Sequence, residues 1–109
     1  MIRAHKKSSW TYRVEALNIP TGVTVLKGYC CVTESGDQTP LIQIQAVNIQ
    51  NNAGKATMDF PFSYTTLDPI EPGTYECAVK LILSDGSAVL LQESILPFVV
   101  LPAYITDVT

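Results

Sequence analysis

Apolar and polar residues alternate along most of the chain, with the period of two that is typical of β-strands with one buried face. The clearest case is residues 74–83, where Glu76 and Lys80 fall on one face. The opposite face of that segment is formed by Tyr75, Cys77, Val79, Leu81 and Leu83. Further strands are predicted over residues 10–17, 23–34, 41–50, 55–64, 88–94 and 95–101.

Glycine, proline and asparagine separate these segments at short intervals, which leaves no room for a long amphipathic helix. Residues 51–54 (NNAG) predict a turn, because Asn and Gly tolerate positive φ, and Asp85-Gly86 predicts a tight hairpin. About seven to eight strands with such turns predict an all-β fold, a single antiparallel β-sandwich of immunoglobulin-like or Greek-key style. We assign residues 10–101 to this domain, 1–9 to a basic N-terminal arm and 102–109 to a C-terminal tail.

Two details of the pattern predict how individual residues are placed. Strict alternation over residues 23–34 puts Leu26 and Cys30 on one face of the strand and Val25 on the other. Pro61 lies inside the segment 55–64. Since proline cannot donate a hydrogen bond to a ladder, this segment is predicted to be an edge strand or to contain a bulge.

Composition narrows the classes of partner. Apolar residues make up 47% of the 109 positions and charged residues 16%, so the chain is long and apolar enough for one core. The formal net charge is −3, and a basic nucleic-acid-binding face is not expected. No apolar run approaches the roughly 20 residues that span a membrane, and no signal peptide is apparent. We therefore expect a soluble protein made in the cytoplasm, without nucleic acid or membrane as a partner.

The residues that carry chemistry are few and scattered. His5 is the single histidine, and it falls in the predicted arm, away from any patterned strand that would position it as a base. Cys30, Cys31 and Cys77 are odd in number and have no CxxC spacing, which favours buried free thiols over a disulfide framework or a zinc site. The sequence therefore predicts that the protein is not an enzyme and binds no cofactor or metal.

Two other functions remain open on the sequence. Tyr75 precedes Cys77 by two residues, as in secreted immunoglobulin-like adhesion domains, although the tryptophan expected between two bridging cysteines is missing. The second alternative is a carbohydrate- or protein-binding module. In that case the candidate exposed aromatic residues are Trp10, Tyr12 and Tyr64.

The order of motifs resembles a class of phage proteins. "PTGV" and "LKGY" are followed by "GKATMDFPFS", then by "PGTYECAVKLILSDGSAVLL", and the chain closes on "ILPFVVLPAYITD". Over residues 10–107 this is similar to small β-sandwich proteins of bacteriophage virions, in the style of the N-terminal domain of the upper baseplate protein. The sequence departs from that pattern at Cys77, where a polar residue is expected.

This resemblance implies a non-enzymatic structural component of a virion, placed in the tail, baseplate or neck or as a decoration protein. The implied partners are other virion proteins and further copies of the chain in a symmetric homo-oligomer, and the implied location is the virion, after synthesis in the host cytoplasm. The candidate assembly contacts lie in the two terminal segments: Arg3, Lys6, Lys7, Tyr104 and Ile105.

Overall fold

The structure, a computed structural model, describes residues 1–34 and 39–103, apart from the side chains of 92–94. These residues form eight strands and, within those ranges, no helix, which confirms the all-β prediction. The strands are β1 (Ile2–His5), β2 (Trp10–Ala16), β3 (Val25–Thr33), β4 (Ile42–Gln45), β5 (Val47–Asn52), β6 (Lys55–Phe62), β7 (Gly73–Leu83) and β8 (Ala88–Leu101).

The strands are arranged in two sheets of unequal width. The larger has five strands in the order β1-β8-β7-β3-β4, and the smaller has three in the order β2-β6-β5. The pairs β2–β6, β5–β6, β3–β4, β3–β7 and β7–β8 are antiparallel. Only β1 departs from this arrangement among the described strands, because it lies parallel to β8. The predicted antiparallel arrangement is therefore wrong at this edge.

The N-terminal segment is part of the larger sheet. The sequence predicts a basic arm over residues 1–9, outside the sandwich domain, but Ile2 pairs with Phe98 and His5 pairs with Leu101. Alternating burial explains the difference, since Ala4 is buried while Arg3 and His5 are exposed. An edge strand with one inward side chain gains apolar burial that a free arm would forgo.

One apolar core lies between the two sheets. The larger sheet contributes residues from all five of its strands, and every second residue of β7 from Cys77 to Leu83 is buried, as the alternation predicts. The smaller sheet contributes Met58, Phe60 and Phe62 of β6, every second residue of that part of the strand. Full burial of each such side chain stabilises the fold by about 1.5–3 kcal/mol. This shared core makes the architecture sandwich-like.

Three aromatic rings connect the sheets at one end of this core. Trp10 of β2 stacks on Phe62 of β6, with ring centroids 4.2 Å apart and planes 8° apart. Phe62 in turn packs against Phe98 of β8 at 5.7 Å. Because Phe98 belongs to the larger sheet, this stack fixes the start of β2 over the β8 strand.

The chain changes sheet within the segment 41–50, which the pattern predicts to be one strand. Its first part is β4, which pairs with β3, and its second part is β5, which pairs with β6. Ala46 lies between them and donates its backbone N–H to the carbonyl of Gly28 at 2.8 Å. Asn48 then adopts a positive φ of 53°, which breaks the extended conformation.

Two other predictions are wrong because the pairing of the strands is irregular. The register between β3 and β7 shifts between Val25 and Lys27, so Val25 is buried and Leu26 is exposed, the reverse of strict alternation. Pro61 lies in β6, which is the central strand of its sheet and not an edge. Proline is tolerated there because the pairing of β6 with β5 extends only to Asp59, so Pro61 has a partner on the β2 side alone.

The β7–β8 hairpin closes with the predicted turn. Gly86 has a φ of +88°, Leu83 donates its N–H to the carbonyl of Ser87, and the Asp85 carboxylate accepts from Ser87 N at 2.9 Å. The predicted strands 88–94 and 95–101 are one continuous strand, β8, whose pairing with β7 shifts register between Cys77 and Val79.

Gly28 provides a test of the core packing. A Cβ atom at this buried position would lie 2.8 Å from the Met58 Sδ and 3.3 Å from the Ala46 Cβ. We expect Gly28→Ala to lower the free energy of unfolding by about 1–3 kcal/mol in urea titrations, because overpacking forces neighbouring side chains to shift.

Gly73→Ala is the matched control for this prediction. Gly73 is also in a strand but exposed, and its nearest neighbour to an added Cβ is the Tyr75 ring at 3.7 Å. This change should leave stability unchanged or raise it by up to about 1 kcal/mol. Equal effects of the two substitutions would contradict the described packing around Gly28.

Candidate functional site

An apolar cleft of about 220 Å³ opens on one side of the molecule, between the end of β2 and the β7–β8 hairpin. We call it the hairpin cleft. One wall is formed by the end of β2 and the residues that follow it, which include Ala16, Leu17 and Ile19. The other wall is formed by the hairpin, with the apolar residues Leu81, Leu83, Val89 and Leu91 and the polar residues Asp85 and Ser87.

The hairpin cleft exists because the larger sheet extends past the smaller one. Val89 pairs with Leu81, and Leu91 pairs with Val79, so all four side chains point to the inner face. Leu81 and Val79 are fully buried, yet Val89 remains 38% exposed. The inner face of the first half of β8 is thus an apolar surface that the three-stranded sheet does not cover.

Two strand edges border this surface. Within the described residues, β2 pairs only with β6, so its other edge is open. The β1 strand reaches only the second half of β8, from Phe98 onward, and leaves the edge of Ala88–Leu91 open in the described structure. An open edge presents backbone N–H and C=O groups to which a further strand can bind.

The outer face of β2 carries charges that are paired with β6. The Arg13 guanidinium lies 2.9 Å from the Asp59 carboxylate, and Glu15 lies 3.1 Å from the Lys55 ammonium. Hydrogen bonds from Arg13 and from the Asn48 amide hold the pKa of Asp59 below its usual range. The same contact raises the pKa of Arg13, whose side chain is nonetheless 74% exposed.

The basic N-terminal residues are partly used within the fold. The Lys6 ammonium donates to the backbone carbonyl of Ile70 at 2.7 Å, and Lys7 forms an ion pair with Asp68 at 2.8 Å. Arg3 is exposed on β1. The predicted contacts Lys6 and Lys7 thus fasten the β1–β2 connection to the loop that precedes β7, and Tyr104 and Ile105 lie outside the described residues.

The three candidate aromatic residues do not form one surface. Trp10 and Tyr12 are half-buried against the core, and Tyr12 lies 6.4 Å from Phe60 between ring centroids. Alternate residues of β2 face the larger sheet, so both rings are only partly exposed, which does not fit the exposed face that a binding module would need. Tyr64 is exposed, and the Lys7 ammonium lies over its ring at 5.2 Å.

Cys30 and Cys77 are brought together inside the core. Both are fully buried on neighbouring strands, with their sulfur atoms 3.4 Å apart and sharing a hydrogen bond. That hydrogen bond and burial raise the pKa of the Cys30 thiol. Cys30 lies opposite Val79, and Cys77 lies opposite Val32, so the cysteines are diagonal neighbours in one sheet. A disulfide needs a sulfur separation of about 2.05 Å, and diagonal positions do not favour it.

Tyr75 is positioned by a local hydrogen bond at the start of β7. Its hydroxyl donates to the backbone carbonyl of Glu71 at 2.6 Å. The contact joins the loop before β7 to the first inward residue of that strand, two positions ahead of Cys77.

A second, more polar cleft of about 440 Å³ lies between residues 19–24 and 51–55. Its central polar side chain is Asn51, whose amide accepts from Val25 N at 2.8 Å and donates to Val25 O at 3.2 Å. These bonds fasten β5 to β3 and leave the amide in a structural role. In the parts of the chain that the structure describes, no group of three or more His, Cys, Asp or Glu residues is placed to bind a metal ion, and no helix could span a membrane.

The residues of the hairpin cleft were missed by pattern reasoning. The available signal is the run Val89-Leu90-Leu91, which is apolar on both faces of a strand where strict alternation would make one face polar. Comparisons of the chain with protein families, with curated proteins and with solved structures find no match. A function therefore has to be inferred from the cleft, the open edges and the order of sequence motifs.

The thiols provide a test of the core around β3 and β7. In protein purified without reductant, we expect a thiol reagent to titrate three thiols after denaturation with guanidinium. In the native state only Cys31, which is half-buried, should react, and slowly, because burial raises its pKa.

Cys31→Ser serves as the control for thiol reactivity. It should abolish native reactivity and leave two thiols after denaturation. A denatured wild-type count of one would reveal a bridge and contradict the free pair of Cys30 and Cys77.

The Asp59 carboxylate should make stability depend on pH. Its folded pKa lies below the unfolded value of about 3.9, so its contribution is present above that value and is lost as the pH falls through the folded pKa. We expect Asp59→Asn to lower the free energy of unfolding at pH 7. The difference from wild type should shrink as the pH falls, which urea titrations at successive pH values can measure. Glu71→Gln, which also removes one negative charge but away from Arg13, is the control for the loss of charge alone.

Proposed function

We propose that the protein is a non-enzymatic structural component of a bacteriophage virion, located in the tail, baseplate or neck or as a decoration protein, and that it acts by protein–protein assembly. The observation that supports this proposal best is the hairpin cleft with its two open strand edges. The order of sequence motifs shared with virion β-sandwich proteins supports the same function. The proposed partners are other virion proteins and further copies of this chain.

We also propose a finer description of the fold, as an immunoglobulin-like sandwich. The order β2-β6-β5 matches strands B, E and D, and β8-β7-β3-β4 matches G, F, C and C′ of a variable-type domain. The hydrogen bond from Tyr75 to Glu71 falls where strand F begins in this assignment, as a tyrosine corner does. Small sandwiches of this kind act as building blocks with many unrelated functions, so the function has to be argued from the surface.

The composition of the hairpin cleft favours a protein partner. Leu17 is 58% exposed at its rim, and Val89 is 38% exposed on the uncovered inner face of β8. Apolar surface bordered by open strand edges suits a partner that supplies both apolar side chains and backbone hydrogen bonds. An extended strand from another protein satisfies both requirements at once.

The two alternative functions receive less support. A glycan-binding face needs exposed rings, but Trp10 and Tyr12 pack against the core. An immunoglobulin-like adhesion domain carries a disulfide between its two sheets, whereas Cys30 and Cys77 are neighbours within the larger sheet. In the proposed strand assignment, Cys30 lies on strand C, where such domains place their tryptophan.

The decisive experiment is mass spectrometry of purified phage particles from cells that express the chain. The proposal expects the protein in the particles at a stoichiometric copy number. Its absence from intact particles, in the presence of soluble protein in the lysate, would overturn the proposal.

Substitution of one rim residue tests whether the hairpin cleft is the contact. We expect Leu17→Ser to reduce incorporation into particles at least about tenfold, because loss of about 1.5 kcal/mol of apolar burial corresponds to that factor. Leu26→Ser is the matched control, since Leu26 is equally exposed at 58% but lies outside the cleft. Equal incorporation of the two variants would exclude the cleft as the contact.

A further inference from the structure

We propose that the open edge of β2 binds β2 of a second copy of the chain. The two strands would run antiparallel about a two-fold axis through Val14, and the two three-stranded sheets would join into one six-stranded sheet. This inference rests on the proposed assembly function. It specifies that the partner is a second copy of the chain and that the two β2 strands pair in one register.

The faces of β2 restrict the possible registers. Val14 and Ala16 are buried on the inner face, whereas Arg13 and Glu15 are exposed on the outer face. Side chains alternate strictly along a strand, so a partner strand continues both faces only when inner residues lie opposite inner residues. For two identical antiparallel strands, this requires the two-fold axis to pass through a residue rather than between two residues.

The charges of β2 then select one axis. With the axis at Val14, Arg13 of each copy lies directly opposite Glu15 of the other, which gives two pairs of opposite charge. An axis at Arg13 would place that residue opposite itself, and an axis at Glu15 would do the same with the carboxylates. Like charges directly opposite each other are destabilising in a sheet, so both neighbouring registers are disfavoured.

The selected register also extends a row of charges that already exists. Each Arg13 is bound to Asp59 at 2.9 Å, and each Glu15 is bound to Lys55 at 3.1 Å. Across the joined sheet, Asp59 and Arg13 of one copy would be followed by Glu15 and Lys55 of the other. Neighbouring charges in this row alternate in sign at every step, so the pairing adds contacts without opposing the intramolecular ones.

The same axis brings the partner strand to the hairpin cleft. It places Tyr12 of the second copy opposite Ala16 of the first, and Thr11 of the second copy opposite Leu17 of the first. Ala16 and Leu17 both line the cleft. The inner face of the partner strand would then cover part of the apolar surface that includes Val89. A second copy therefore supplies both features that the cleft requires, a strand edge and apolar side chains.

The other edges are less suited to self-pairing. The β5 edge contains Asn48 at positive φ, and its ladder with β6 is already irregular there. The edge strands β1 and β4 have four residues each, which gives a short ladder. The outward residues of β1 are Arg3 and His5, which include no carboxylate to face a guanidinium of the second copy.

The test uses sedimentation velocity of the full chain with two charge reversals, Arg13→Glu and Glu15→Lys. Wild type should dimerise. Each variant alone should dimerise at least about tenfold more weakly, because both cross-strand pairs become like-charged. An equimolar mixture of the two variants should dimerise as wild type does, since the introduced glutamate faces the introduced lysine and the native Glu15 faces the native Arg13.

The mixture also controls for folding, because a misfolded variant could not restore the dimer, and circular dichroism should show both variants folded. The Glu15–Lys55 pair is about half exposed on both sides and contributes little to stability, whereas the Asp59 partner of Arg13 is buried, so circular dichroism of Arg13→Glu is the necessary check of its fold. A wild type that stays monomeric to about 100 µM, a concentration at which micromolar contacts are occupied, would overturn the inference. Unchanged dimerisation of either single variant, or a mixture of folded variants that stays monomeric, would also overturn it.

Failure of this pairing is distinguishable from failure of the proposed function. If Arg13→Glu and wild type are incorporated into particles equally, the assembly function stands and the β2 contact is excluded. If the chain is absent from particles although the mixture restores the dimer, the pairing stands and the virion function is excluded.

Discussion

Burial of apolar side chains between a five-stranded and a three-stranded sheet holds this protein together. The stack of Trp10, Phe62 and Phe98 fixes one end of the smaller sheet over the larger one. The smaller sheet, however, is too narrow to cover the first half of β8 at the opposite end. The exposed Val89, the open edge of β2 and the hairpin cleft all follow from this difference in width.

The parts of the fold that depend on local chemistry could be predicted from the sequence. The period of two places Met58 and Phe60 of β6 and Val79 of β7 in the core. Gly86 provides the positive φ that the β7–β8 hairpin needs. Each of these features is determined by residues close together in the chain, so a short pattern is sufficient to identify it.

The features that pattern reasoning missed depend on distant partners. Whether residues 2–5 form a strand depends on β8, almost a hundred positions later. Leu26 is exposed because the ladder between β3 and β7 shifts beside it, and nothing in the local alternation shows that shift. Pro61 is tolerated in a central strand because the ladder between β5 and β6 does not extend beyond Asp59. The hairpin cleft belongs to this group too, because it depends on how wide the opposite sheet is.

The motif Tyr75-x-Cys77 shows how one local signal can be partly informative. The contact of the tyrosine is local, because its hydroxyl reaches the Glu71 carbonyl only four residues away. Cys77 is a buried free thiol, as predicted, but the residue that it contacts depends on which strand lies beside β7. That strand is β3, in the same sheet, so the pair of sulfurs fills core volume instead of joining the two sheets.

An open strand edge beside an apolar cleft is also a risk, because it can pair with any extended chain that it meets. Charges on an edge strand normally reduce this risk by repelling a second copy. In β2 the two outer charges have opposite signs and are two positions apart, so they repel a second copy in the neighbouring registers and attract it in one. A single charge, or two of the same sign, would only protect the edge. The arrangement of Arg13 and Glu15 around Val14 protects it and also specifies one way of binding.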